Sequence, residues 1–222
     1  MQKMEIPKSN LIVRCSSLHK IMGRGRSKES VLSETAKTYI HEIAKEQFYG
    51  IETKLTGKFL DKGIRNEDIG IEMINQNRFR TYKKNQDRIT TDWLTGECDI
   101  NAEDSIIDVK CSWSFDSFPA FDIEAEKMMK KSGYDWQLRG YMYLYDKPKA
   151  EVVWCMTSTP DDLLSPYDDK SVHKVDHIDV DLRLTSVPIV RDLKLEDQML
   201  EQYKHANEYY QKCISELKNK NK

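Results

Sequence analysis

The sequence predicts an α/β fold, with a central mixed β-sheet flanked by helices, on three observations. Residues 93–100 and 105–112 are two β-branched, alternating runs separated by the turn chemistry of Asn101-Ala102-Glu103-Asp104, which reads as a hairpin. Residues 151–157 form a short apolar run suited to a further strand of the same sheet. Around these, apolar residues recur at helical spacing over 31–48, 62–74, 123–131, 136–145 and 195–217. At 222 residues the chain is long enough to bury a substantial core and is expected to form a single domain. Within it a helical N-terminal part covers 1–90, a central core 60–157, and a C-terminal strand and helix 175–220.

Each element has its own local reason. Arg14-Cys15-Ser16-Ser17 precedes Leu18 and Ile21, so a serine is placed to cap a short helix running to Met22. Gly23-Arg24-Gly25-Arg26 follows as a basic loop, too short to cradle phosphate and with no strand before it. After the helix over 31–48, a glycine-containing break leads to a helix opened by Lys62-Gly63-Ile64-Arg65-Asn66-Glu67, with Ile64, Ile71 and Ile74 as its apolar positions. Arg78, Arg80, Lys83, Lys84 and Arg88, interleaved with Phe79 and Tyr82, form a basic cluster suited to a phosphate backbone or simply to solvent. Beyond the hairpin, a loop over 113–121 contains Pro119, and the next helix ends near Gly133. Gln137 and Tyr141 stand four residues apart on the following helix and share one side of it. A polar loop over 160–174 precedes Ile178, Val180, Leu182 and Leu184, which alternate with Asp179, Asp181 and Arg183 as in a strand with one wet face. That pattern argues against a metal site built from His173, Asp176, His177 and Asp179. The last helix, over 195–217, carries Met199, Tyr203, Ala206 and Tyr210 on its apolar stripe, and a lysine-rich tail ends the chain.

The hairpin holds the chemistry. Alternation puts Thr95, Glu97 and Asp99 on one face of its first strand, and Ile106, Asp108 and Lys110 on one face of its second. With a four-residue turn, Ile100 is expected opposite Ser105, Asp99 opposite Ile106 and Glu97 opposite Asp108, so that charged and apolar sets each coincide. Two carboxylates about 4 Å apart at an effective dielectric near 20 repel by on the order of 4 kcal/mol, and one lysine cannot neutralise three of them. A hard divalent cation, Mg²⁺ or Mn²⁺, can. A solvent-facing hairpin whose charges only confer solubility is the alternative reading of the same residues.

Composition narrows the field. The net charge of −2 excludes a global polyanion binder, and 39% apolar residues exclude global disorder. No run approaches the roughly 18 apolar residues of a membrane span, and residues 1–8 are too polar to start a signal peptide, so a cytoplasmic location, bacterial or in a phage-infected host, is expected. Five cysteines without C-x-x-C pairs suggest reduced thiols.

In combination these residues resemble the PD-(D/E)xK nucleases. Gly96-x-x-Asp99 followed by Ile106-Ile107-Asp108-Val109-Lys110 is similar to the superfamily core, with aspartate where the phage exonucleases commonly carry glutamate. Glu67 upstream and Gln137-Leu138-Arg139-Gly140-Tyr141 downstream resemble, in the expected order, the helical glutamate and Q-x-x-x-Y elements of the RecB-like and phage exonuclease branch (YqaJ and lambda exonuclease types). The likeness implies a restriction-endonuclease-like core and a metal-dependent exonuclease acting on linear DNA with a free end. It also implies a catalytic set of Glu67, Asp99, Asp108, Lys110, Gln137 and Tyr141. Asp99, Asp108, the Val109 carbonyl and Glu67, directly or through water, would hold the metal; Glu97 lies near it without a fixed role. Lys110 would orient water or stabilise charge, and Gln137 and Tyr141 would support the site and contact the DNA backbone. The arginine-plus-serine start of the phage exonucleases, which binds the DNA-end phosphate, resembles Arg14, Ser16 and Ser17; Arg78, Arg80, Lys83 and Lys84 are further expected DNA contacts. Some members assemble as ring-shaped homo-oligomers or work beside a single-strand annealing protein. No iron-sulfur cluster is expected, because Cys15, Cys98, Cys111, Cys155 and Cys213 lack the spacing of the members that carry one. A structure-specific or defence endonuclease with the same site, and a DNA-binding or assembly protein without turnover, are the alternatives.

Overall fold

Among the described residues two short sheets, not one continuous hairpin sheet, organise the fold. The computed structural model describes residues 10–23, 25 and 31–220; Arg24 and Arg26 of the expected basic loop lie outside them. In chain order the elements are β1 (Val13–Arg14), α1 (Leu18–Met22), α2 (Glu34–Tyr49), α3 (Lys58–Arg78), β2 (Ile89–Thr90), β3 (Leu94–Gly96), β4 (Ile100–Asn101) and β5 (Ser105–Cys111). They continue with α4 (Asp122–Ser132), α5 (Tyr134–Tyr145), β6 (Lys149–Cys155), β7 (Leu184–Val190) and α6 (Leu193–Asn219). The larger sheet has the order β4-β5-β6-β7 and the smaller one β1-β3-β2. In the larger sheet β5 runs parallel to β6 and antiparallel to β4, and β6 runs antiparallel to β7, so the sheet is mixed.

The hairpin departs from expectation in register and continuity. Ile100 pairs with Ile107 and Asn101 with Ile106, two residues away from the expected alignment. The Ala102 amide donates to the Ser105 carbonyl, so the chain turns at Glu103-Asp104 and Ser105 opens β5 without pairing with Ile100. A shift of two preserves the side-chain parity, which is why the charged face survives it. The first strand also breaks: 94–96 belongs to the small sheet, 100–101 to the large one, and 97–99 crosses between them.

Strand β5 is buried on both sides, as a central strand must be. Ile106 faces a core shared with Ala150, Val152 and Trp154 of β6 and with residues of α1, α2, α5 and α6. Ile107 and Val109 face the other way, onto Ile71, Met73 and Ile74 of α3. Each such aliphatic side chain contributes roughly 1.5–3 kcal/mol by leaving water. Helix α3 comes close because Gly70 lies against Val109; a Cβ at Gly70 would meet Val109 Cγ1 at 2.6 Å. Helix ends carry their expected chemistry at α2, where the Ser33 side chain accepts from the Ala36 amide, and at α6, where Asp192 accepts from Lys194 and Leu195.

Two further expectations change. Ile64 is not a core residue of α3: it is 62% exposed and borders a cleft also lined by Glu67 and Lys110. The alternation over 178–184 is not a strand. Val180–Leu182 is a 3-10 turn, with the Asp179 side chain accepting from the Asp181 amide, and the strand forms later, as β7. Its Pro188 sits on the sheet edge, where a missing amide hydrogen costs no ladder bond.

Candidate active site

Strand β5 and helix α5 converge on one buried carboxylate. Asp108 is fully buried. Gln137 Nε2 donates to its Oδ1 at 2.9 Å, and the same amide stands 3.1 Å from the Tyr141 hydroxyl. The four-residue spacing of Gln137 and Tyr141 on α5 makes that joint approach possible. Asp108 Oδ2 has Lys110 Nζ at 2.6 Å, but takes no aligned hydrogen bond, so this contact is ionic and the oxygen keeps lone-pair capacity.

Asp99 arrives from the break between β3 and β4. One step beyond the Ile100–Ile107 pair, the register sets it against Asp108, and its Oδ2 accepts the Val109 amide at 2.6 Å. Burial, and then the negative charge of Asp108, push the Asp99 carboxyl up to about 7. Burial pulls the Lys110 ammonium down, but Asp108 and Asp99 outweigh it and hold Lys110 protonated, above the ordinary lysine range. A lysine held as a cation cannot act as a general base; it can orient an anion or stabilise developing charge. Tyr141 is pushed up by burial and by Asp108, and stays a neutral phenol.

Glu67, Asp99, Val109, Lys110 and Gln137 all line one cleft of about 700 Å³. Glu67 forms part of its wall, and Lys84 Nζ holds its Oε1 at 3.1 Å. Among the described residues no three His, Cys, Asp or Glu side chains close on a single metal-sized point. The donor set nevertheless fits Mg²⁺ or Mn²⁺, which are typically held by one or two carboxylates, with water and substrate phosphate completing the shell. The half-satisfied Asp108 oxygen and the strained charge of Asp99 are the observations that make it fit.

The remaining expected residues are more dispersed. Ser16 lines both this cleft and an adjoining one of about 510 Å³ that also holds Arg14, Arg88, Glu97 and Tyr141. Ser17 precedes α1 without making a capping hydrogen bond, so its serine chemistry is not used as a cap. Glu97 is not beside the aspartates: it belongs to the adjoining cleft and pairs with Arg88 at 3.3 Å, because the chain turns between the two sheets just after Gly96. Arg14 pairs with Glu52 at 2.8 Å. Arg78 is bound into the fold, its guanidinium meeting Glu151 of β6 at 2.5 and 3.0 Å, and is therefore not a free phosphate contact. Lys84 is engaged with Glu67, while Arg80 and Lys83 are exposed.

Sequence reasoning missed Lys62, whose only signal was a charged residue on the buried side of a helix. Its ammonium lies 2.5 Å from the Ser112 carbonyl, 3.0 Å from Trp113, 2.7 Å from Thr157 and 2.9 Å from the Thr159 hydroxyl. It ties α3 to the chain just beyond Lys110.

No family model and no curated protein matches the chain. Among solved structures, a phage-related exonuclease from Haemophilus somnus 129PT superposes with a TM-score of 0.88 at 39% identity, covering 94% of this chain and 97% of that one. The alkaline exonuclease LHK-Exo from Laribacter hongkongensis superposes with a TM-score of 0.64 at 14% identity, over 94% and 92% of the two chains. Its complex with dAMP gives 0.63 at 15% over the same shares. These last two likenesses concern the fold alone, whereas 39% identity across nearly the whole of both chains concerns ancestry. On that ground the chain belongs to the phage-related exonucleases, consistent with the YqaJ- and lambda-type branch of the PD-(D/E)xK nucleases that its motifs resemble.

Proposed function

We propose that the protein is a metal-dependent deoxyribonuclease that hydrolyses phosphodiester bonds from the ends of linear DNA, in phage-type recombination or DNA processing. The observation that carries this is that Asp99 and Lys110 line one cleft while the buried Asp108 stands 2.6 Å behind Lys110, fixed there by Gln137. A bound Mg²⁺ or Mn²⁺ would supply an activated water and stabilise negative charge on the scissile phosphate. The protein's own part is to hold Asp99 through the Val109 amide, to hold Asp108 through Gln137, and to keep Lys110 cationic at the mouth of the pair. Glu67 acts through water, and Tyr141 supports Gln137. Ser16 lies where the adjoining cleft meets the site and Arg14 lines that adjoining cleft, which suits them to the end of a DNA strand, and Arg80 and Lys83 to the backbone beyond.

No helix among the described residues is long and apolar enough to cross a membrane. The reading extends to work beside a single-strand annealing protein and to a homo-oligomer that encircles its substrate. The test is end-labelled linear duplex, 5′-phosphorylated or not, alongside a closed circle, with Mg²⁺, with Mn²⁺ and with chelator. Degradation confined to linear DNA, dependent on the metal and lost in Asp108→Ala and Lys110→Ala, is expected. Cutting of the closed circle would favour an endonuclease, and tight binding without cleavage would favour a DNA-binding protein.

A further inference from the structure

Lys110 is held on two sides. Asp108 Oδ2 stands 2.6 Å from its ammonium, and the centroid of the Tyr134 ring stands 5.0 Å from the same nitrogen. Tyr134 opens α5 and lines the catalytic cleft. Three residues later the same helix supplies Gln137, so its first turn contacts both members of the Asp108–Lys110 pair. Tyr134 is itself seated: its ring lies 6.3 Å from that of Trp154, at an interplanar angle of 55°, and Trp154 is the register partner of Lys110 on β6. Strand pairing therefore places Lys110 and Trp154 side by side, and the tyrosine ring bridges them.

We propose that Tyr134 is a positioning residue for Lys110, its ring face fixing the ammonium at the mouth of the aspartate pair. This rests on the proposed role of Lys110 in phosphodiester hydrolysis. A lysine side chain has four rotatable bonds, and an anion on one side alone leaves the ammonium free to swing about it. A ring face on a second side is attractive to a cation and costs it little hydration. The contact with Lys110 is made by the aromatic face, so the ring and not the hydroxyl is expected to do the holding.

The experiment is steady-state hydrolysis of linear duplex at saturating Mg²⁺ by Tyr134→Leu, Tyr134→Met and Tyr134→Phe. The two aliphatic variants are expected to lose roughly tenfold in kcat, the scale of one partly desolvated cation–π contact, with KM for DNA little changed. Tyr134→Phe, which keeps the ring, restores kcat. In the Lys110→Ala background, adding Tyr134→Leu is expected to remove nothing further from the residual rate. The inference fails if Tyr134→Phe is as slow as Tyr134→Leu, if the loss appears in KM, or if the double variant is slower than Lys110→Ala. A fully active Lys110→Ala would overturn the reading of the site itself. An inactive Lys110→Ala beside fully active Tyr134→Leu and Tyr134→Met would overturn this inference alone. Thermal unfolding of each variant separates a loss of folded protein from a loss of rate, and Met, nearly as long as the ring is wide, guards against a packing defect in the Leu variant.

Discussion

Gln137 Nε2 donates to Asp108 Oδ1 at 2.9 Å, so one oxygen of the buried carboxylate is oriented by a neutral amide while the other faces Lys110. An amide here orients without adding charge. Gln137→Leu is expected to cost roughly 10–100-fold in activity and to raise the Mg²⁺ concentration needed, the usual effect of removing a partner behind a metal ligand. Gln137→Glu is expected to lose more, because it adds a further carboxylate beside the Asp99–Asp108 pair. Rate measured across a Mg²⁺ titration checks both. A Gln137→Leu variant with wild-type rate and metal demand would mean that Asp108 is held by packing alone.

Asp99 makes stability depend on pH in a definite direction. Its carboxyl is pushed up from 3.8 to about 7, so between those values the folded protein binds more protons than the unfolded chain. Metal-free stability should therefore fall as pH rises through that window, and be most favoured by this group below about pH 4. A divalent cation requires the ionised carboxylate, so the gain in Tm on adding Mg²⁺ should be small near pH 5 and larger near pH 8. Melting curves with Mg²⁺ or chelator across this range test it. A Mg²⁺ effect independent of pH would remove Asp99 from the metal's ligands.

The chemistry of the site was legible in the sequence because parity and spacing encode it. Side-chain alternation placed Asp108 and Lys110 on one face whatever the register, and four-residue spacing brought Gln137 and Tyr141 together. What was not legible depends on long-range placement. The two-residue shift of the hairpin preserves the alternation, so no local pattern distinguishes it. Glu97 alternates correctly with Asp99, yet a break between sheets carries it into another cleft. Arg78 looks like any basic surface residue until Glu151, 73 positions away, is folded against it. The strand expected over 178–184 failed because aspartate side chains can serve a turn as well as a wet face.

Lys62 shows how a fully buried charge is tolerated. It is 1% exposed, and its acceptors are three carbonyls and a hydroxyl from two separate loops. Lys62→Met fills the space but leaves the Ser112 and Thr157 carbonyls without their donor, while the Trp113 carbonyl keeps the Thr159 hydroxyl, and this is expected to destabilise the fold by on the order of 3 kcal/mol. For a chain of this size that lowers Tm by roughly 6–12 °C. Calorimetry or chemical denaturation measures the loss. A change below about 1 kcal/mol would mean that water replaces the ammonium and the brace is dispensable.

Gly96 opens the G-x-x-D motif for a steric reason. A Cβ at this position would lie 2.6 Å from Cys15 Sγ and 2.8 Å from Tyr141 Cε1, closer than real contacts allow. Both neighbours are buried, so neither can swing into solvent to make room. Gly96→Ala is therefore expected to destabilise the protein by roughly 1–3 kcal/mol, the cost of overpacking a filled core. It should also slow turnover, because displacing the Tyr141 ring moves the hydroxyl that Gln137 touches. If Cys15→Ala is added, the nearer clash disappears while the Tyr141 clash remains. The double variant should then regain part of the lost stability but little of the lost rate, measured by thermal unfolding and by kcat on linear duplex. Full recovery of both would show that Cys15, and not Tyr141, is the reason glycine stands there.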